Sequence, residues 1–156
     1  MSNDVSYLTA EGAVKIQEEL DYLKGPARKT LAERLRAAIE QGDLSENADY
    51  IQAKEEQGFL EGRILELDNI LRNRVIIEDI KQNLEEVGVG DHVTIVEDGF
   101  PEETYFIVGP KEADPANYRI SHLSPIGKAM IGKRVGDLID VQTPSGSLKF
   151  KITKIE

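Results

Sequence analysis

The stretch Gly42-Asp43-Leu44-Ser45-Glu46-Asn47-Ala48-Asp49-Tyr50 decides the fold, because it stands between two long segments that share one apolar pattern. Before it, apolar residues fall at Ile16, Leu20, Leu23, Leu31, Leu35 and Ile39; after it, at Leu60, Ile64, Leu67 and Leu71. These spacings follow the helical period and draw a narrow stripe on each helix. The polar break Gln41-Gly42-Asp43 is short, so the two helices must run antiparallel. Residues 10–40 would span about 45 Å and 46–74 about 42 Å at 1.5 Å per residue. Outside the stripes the segments are charged, with Glu33, Arg34, Arg36, Glu40, Lys54, Glu55, Glu56 and Arg63. The stripes can satisfy one another and no third element, which predicts an antiparallel coiled-coil hairpin with its tip near 42–47.

Away from the tip the pattern changes twice. Thr9 is a candidate N-cap, with Glu11 in the first turn, and Gly25-Pro26 predicts a kink in the first helix. The β-branched run Val75-Ile76-Ile77 ends the second helix, and Ile80–Gly90 reads as linker and turn. Short alternating runs follow at 92–97, 104–108, 138–142 and 148–153, the last two joined through Pro144-Ser145-Gly146-Ser147. Between them Ser124, Pro125 and Gly132 mark the cap, first position and end of one short helix. The fold class is therefore α+β: residues 1–80 form the hairpin and 81–156 a small antiparallel-sheet domain with one short helix.

Charge and composition exclude several functions. The chain carries a net charge of −10 and no cysteine. Residues 1–80 hold 17 acidic and 10 basic side chains, net −7; residues 81–156 hold 12 and 9, net −3. Neither part has a basic run, so work near nucleic acid requires a protein partner to bring the chain there. Without cysteine there is no disulfide, thiolate metal site or thiol nucleophile. Nothing resembles a membrane span, and Met1–Val5 lacks the features of a secretory signal, which predicts a cytoplasmic chain.

No phosphate loop or nucleophile elbow is present, and His92 and His122 have no metal-ligand spacing to another candidate. Chemistry is left to the tip. Asp43 and Glu46, three apart, read first as a capping box for the second helix, with Asp49 favouring its dipole. They also read as an exposed carboxylate pair on a long support.

Residues 42–50, Ala53–Phe59 and Glu61–Ile64 resemble the tip and descending helix of GreA-type bacterial transcript cleavage factors. Leu8-Thr9, Gly12 and Glu18–Lys24 are similar to that family's start. Ile120-Ser121, Ser124–Ala129, Ile131–Lys133, Gly136-Asp137 and Thr143–Gly146 are similar to its C-terminal domain. The resemblance implies an FKBP-like C-terminal domain and an elongation factor acting on bacterial DNA-directed RNA polymerase. It implies that the hairpin enters the polymerase secondary channel, and that the factor stimulates cleavage of the nascent RNA 3′ end without being an enzyme itself. By position Asp43 and Glu46 would be the catalytic carboxylates, holding Mg²⁺ shared with the polymerase and none in the isolated protein. Gly42, Asn47 and Tyr50 would support the tip. Ser124, Pro125 and Ile126 would dock on the polymerase, with the factor acting as a monomer. Where the family often carries a basic residue facing RNA this chain has Ile39, so Arg36 and Lys54 become the RNA-contact candidates. Three other readings stand beside this one: a polymerase-binding inhibitor of the same fold, a coiled-coil adaptor or chaperone whose tip residues only cap, and a peptidyl-prolyl isomerase.

Overall fold

Helix α3 (Ala48–Arg72) runs unbroken for 25 residues, with Ala53, Ile64, Leu67 and Ile70 turned inward. Helix α1 (Ala10–Tyr22) continues through a π-helical turn (Leu23–Ala27) into α2 (Arg28–Glu40). The computed structural model describes residues 5–80 and 83–156, and these helices pair within it as the predicted antiparallel hairpin. Leu31 and Leu35 of α2 pack with Ala53, Tyr50 and Leu60 of α3. Arg28–Glu61, Arg34–Glu56 and Glu19–Arg63 ion pairs flank the seam on the surface. The Arg28 guanidinium holds the Glu61 carboxyl below the usual carboxylate range.

Two sequence expectations shift here. Pro26 lacks an N–H and its ring crowds the carbonyl one turn back. The chain answers with the wider π turn, in which the Arg28 N–H reaches the Leu23 carbonyl, and the helix continues past the proline. Near the tip the inward position belongs to Ala38, which is fully buried, while Ile39 is 52% exposed. The small alanine lets α2 approach α3 closely where the hairpin closes.

By packing, the chain forms two compact units. One comprises Ala13–Asn73; the other joins residues up to Gly12 with those from Arg74 onward. Strand β1 (Ser6–Leu8) pairs in parallel with β2 (Arg74–Ile76), so the segments entering and leaving the hairpin are hydrogen-bonded together. Lys81 and Gln82 of the expected linker lie outside the described residues. By Val87 the linker has ended, since that side chain is buried in the core of the second unit.

That core lies against a five-stranded sheet ordered β5 (Arg119–Ser121), β4 (Glu103–Val108), β3 (His92–Glu97), β7 (Gly146–Ile155), β6 (Leu138–Thr143). Three of its pairings are antiparallel as expected, and β5 runs parallel to β4. Helix α4 (Pro125–Met130) begins on Ser124, whose hydroxyl accepts the Gly127 N–H at 3.1 Å, and Met130 packs into the core. No helix among the described residues is long and apolar enough to cross a membrane.

Tyr105 gives this unit an alkaline signature. Burial, and then its 2.7 Å hydrogen bond to the Glu103 carboxylate, push the phenol up to about 12. An unfolded tyrosine titrates near pH ~10. The folded value is the higher one, so the linked stability is complete below pH ~10 and is lost as pH rises towards the folded value. Phenolate absorbance should therefore show one tyrosine titrating late, and Tyr105→Phe should remove that component and flatten the alkaline fall in melting temperature.

Candidate functional site

The tip is built by the end of α2 and the start of α3. The Gln41 and Gly42 N–H groups close the last turn of α2 on the Ala38 and Ile39 carbonyls. Gly42 then turns the chain out at φ +112°, a conformation side chains other than glycine rarely adopt. Asn47, not Asp43, is the N-cap of α3: its Oδ1 accepts the Tyr50 N–H at 3.0 Å. The capping-box expectation therefore fails, because α3 starts too late for Asp43 and Glu46 to serve it. Asn47 does a second job, since its Nδ2 donates 2.7 Å to the Ala38 carbonyl and rivets the two helices together.

Asp43 and Glu46 are consequently released from helix capping. Oδ1 of Asp43 accepts both the Ser45 N–H, at 3.1 Å, and the Ser45 hydroxyl, at 2.8 Å. This Asx turn fixes the carboxylate and leaves its second oxygen without a partner among the described residues. Glu46 is exposed and makes no hydrogen bond among those residues. Both groups are hard oxygen donors of the kind Mg²⁺ prefers. Together they supply at most two of about six ligands, and no group of three or more acidic, histidine or cysteine side chains completes a site among the described residues. The donor set fits a half-site. Asp49 does sit in the first turn of α3, as expected, and Tyr50 packs against the hairpin seam.

Arg36 and Lys54 stand further down the hairpin. The register that pairs Arg34 with Glu56 sets Arg36 opposite Lys54, and the helical period turns both toward the other flank. Arg36 is exposed, and Lys54 donates 3.2 Å to the Gln57 side chain. Exposed Ile39 lies one turn from Arg36.

Ser124, Pro125 and Ile126 belong to the other compact unit. Ser124 acts as the cap, and Ile126 is partly buried against the core, which leaves it less available than expected. Leu123 and Ile131, at either end of α4, are the apolar side chains exposed there, at 54% and 37%. His92 stacks on Phe106 and His122 meets Tyr7 edge-on, so both histidines serve packing. Ser45 was not singled out from the sequence, although Asp-x-Ser is a spacing that signals an Asx turn.

Comparison with known proteins matches these two regions separately. Residues 6–76 match the family described as the transcription elongation factor N-terminal domain. Residues 81–156 match the transcription elongation factor GreA/GreB C-terminal domain. Transcription elongation factor GreA of Geobacillus kaustophilus is 49% identical over 159 residues, with all of both chains covered. The GreA of Clostridium perfringens is 43% identical, with 99% of each chain covered. A crystal structure of GreA factor homolog 1 (Gfh1) of Thermus thermophilus aligns over 98% of this chain and 99% of that one, at 27% identity and a TM-score of 0.44. The chain belongs to the GreA/GreB family of transcription elongation factors.

Proposed function

We propose that this chain rescues arrested bacterial RNA polymerase by stimulating the polymerase's own cleavage of the nascent RNA near its 3′ end. The observation that carries this reading is the tip: two exposed carboxylates, freed from capping by Asn47 and held at the end of a self-sufficient hairpin. Asp43 and Glu46 would hold Mg²⁺ jointly with groups of the polymerase and the transcript. An ion held there would supply charge stabilisation to phosphodiester cleavage. Ser45 keeps the Asp43 carboxylate turned outward, and Asn47 keeps the tip from opening. Arg36 and Lys54 offer cations to RNA phosphates from one flank. With two donors at the tip and no positioned base among the described residues, the chain serves as an accessory factor and does not cleave RNA unaided. It acts in the cytoplasm as a single copy.

The deciding experiment incubates a stalled, backtracked polymerase carrying labelled RNA with factor, without factor, and with Mg²⁺ varied; factor with RNA alone is the control. Rapid shortening of the transcript is expected only when both proteins are present. Binding without shortening would make the chain an inhibitor of the same fold, and nuclease activity of the factor alone would overturn the accessory role.

The surface around α4 is the docking face in this reading. Leu123→Asp should raise the factor concentration for half-maximal cleavage by about fivefold or more, as loss of a central apolar anchor does. The rate at saturating factor should stay within about twofold. Ile126→Asp should additionally lower the melting temperature, because that side chain is partly in the core. Unchanged half-saturation with Leu123→Asp would remove this face from the docking surface.

A further inference from the structure

We propose that Tyr118, Tyr105 and Glu103 form a recognition site for an arginine side chain of a protein partner; the inference goes beyond the cleavage reading and does not rest on it. Among the described residues Tyr118 is the one residue other than glycine with a positive φ, at +59° with ψ +29°. Left-handed backbone is costly for a side chain of this bulk, and glycine or asparagine is its usual occupant. Residues held this way cluster where a site needs them, so the outlier asks what its ring is for.

The turn demands this conformation whichever residue fills it. Asp114 and Arg119 exchange backbone hydrogen bonds of 2.7 and 3.1 Å and close the loop between them. Within that loop the Tyr118 N–H donates to the Pro115 carbonyl at 3.1 Å. The Tyr118 carbonyl accepts the Phe106 N–H at 2.8 Å, and Asn117 Nδ2 donates 2.6 Å to the Asp114 carboxylate. Glycine at 118 could make each of the two Tyr118 bonds, since both belong to the backbone.

Tyrosine therefore adds only its ring, and burial does not offset the strain, because the residue is 49% exposed. The ring meets that of Tyr105 at 5.5 Å between centroids, tilted by 60°. Tyr105 packs its body against the core and donates its hydroxyl to Oε2 of Glu103 at 2.7 Å. Glu103 stands two residues before it on β4, on the same face of the sheet, and is exposed. Its other oxygen has no hydrogen-bond partner among the described residues.

Two tilted rings make a corner with electron-rich faces, and a carboxylate stands beside it. Ring faces attract a cation within about 6 Å of the centroid, arginine more often than lysine. A guanidinium is flat and weakly hydrated, so it can lie on a tyrosine face while its N–H groups reach a carboxylate oxygen. Glu103 and the adjoining Glu102, on a chain of net charge −10, repel a phosphate or an acidic peptide. An apolar partner would cover the open Glu103 oxygen without giving it a donor. Charge thus commits the site to a cation, and the rings commit it to one with a flat face.

The test titrates acetyl-arginine amide into the full chain. Acetyl-citrulline amide is the uncharged isostere, and acetyl-proline amide the apolar probe. Ring resonances of Tyr105 and Tyr118, assigned through Tyr105→Phe and Tyr118→Phe, are followed by NMR. The arginine probe should shift both with half-saturation in roughly the millimolar range, as fits one side chain at an exposed site. The other two probes should shift neither at the same concentrations. Tyr118→Gly keeps the turn, because glycine adopts this φ freely, and should weaken arginine binding, read at Tyr105, by about threefold or more. Tyr118→Asn suits the same backbone and carries the test if the glycine variant fails to fold. Glu103→Gln keeps an acceptor for the Tyr105 hydroxyl, removes the charge, and should weaken binding by a similar factor. Equal shifts with the arginine and citrulline or proline probes, or none with arginine, overturn the inference. Parental arginine binding in Tyr118→Gly also overturns it and makes the ring a packing element of the turn.

Discussion

Asp43→Asn should lower the rate of transcript cleavage at saturating factor by well over tenfold, a loss of at least about 1.4 kcal/mol in transition-state stabilisation, while melting temperature and helicity stay at parental values. The two outcomes separate because the structural work of Asp43 is local. Its Oδ1 holds the Ser45 N–H and hydroxyl, and the Oδ1 of an asparagine can close the same turn. Helix α3 is untouched, since Asn47 caps it. What the substitution removes is one negative charge from a half-site that has only two. An ion held by mass action responds to concentration, so raising Mg²⁺ should partly restore the Asp43→Asn rate. The pair Asp43→Asn with Glu46→Gln should be close to unassisted polymerase at low Mg²⁺. A stable Asp43→Asn variant with full activity would reduce Asp43 to a turn residue, and parental stimulation by the double variant would remove the tip from the chemistry altogether.

The hairpin was legible because burial on a helix repeats in the sequence: Leu20, Leu31, Leu35, Ile64 and Leu67 all sit where the stripe predicts. The stripe fails at Ile39, which is exposed beside the buried Ala38, and weakens at Leu71, half-buried beside the buried Ile70. A straight helix drifts against a regular repeat, and close approach near the tip favours the smaller residue. The cap of α3 was not legible, because Asp43, Ser45 and Asn47 all cap well. A tertiary bond settles the choice: only Asn47 has a donor that reaches Ala38 across the hairpin. Strand β1 was invisible for a related reason. Three residues show no alternation, and its partner β2 lies at the far end of the hairpin in sequence. Strand β5 is equally short and follows two 3₁₀ turns, so its parallel pairing with β4 is fixed by chain path rather than by pattern. At the site itself the carboxylates were readable from residue type and place, whereas the Ser45 lock depends on how the tip loop folds back.

Asn47 offers the second large effect, because cap and rivet reside in one side chain and can be pulled apart. Asn47→Ala removes both the bond to the Tyr50 N–H and the bond to the Ala38 carbonyl. Loss of an N-cap alone costs about 1 kcal/mol. The Ala38 carbonyl, from a fully buried residue, also loses a donor. Cleavage should fall by about tenfold or more although both tip carboxylates remain, since a loosened tip spends less time in a productive geometry. Asn47→Ser keeps a cap of about equal strength but is too short to reach Ala38 from the start of α3. Amide exchange at Tyr50 should then stay slow in Asn47→Ser and become fast in Asn47→Ala, while cleavage drops several-fold in the first and further in the second. Melting temperature is the weaker readout, since the chain has two compact units and its unfolding need not be two-state. Parental cleavage in Asn47→Ser would mean that the cross-hairpin bond has no part in function. Parental cleavage in Asn47→Ala, with fast exchange at Tyr50, would mean that the carboxylates need no fixed tip, and the half-site would have to be organised by the polymerase instead.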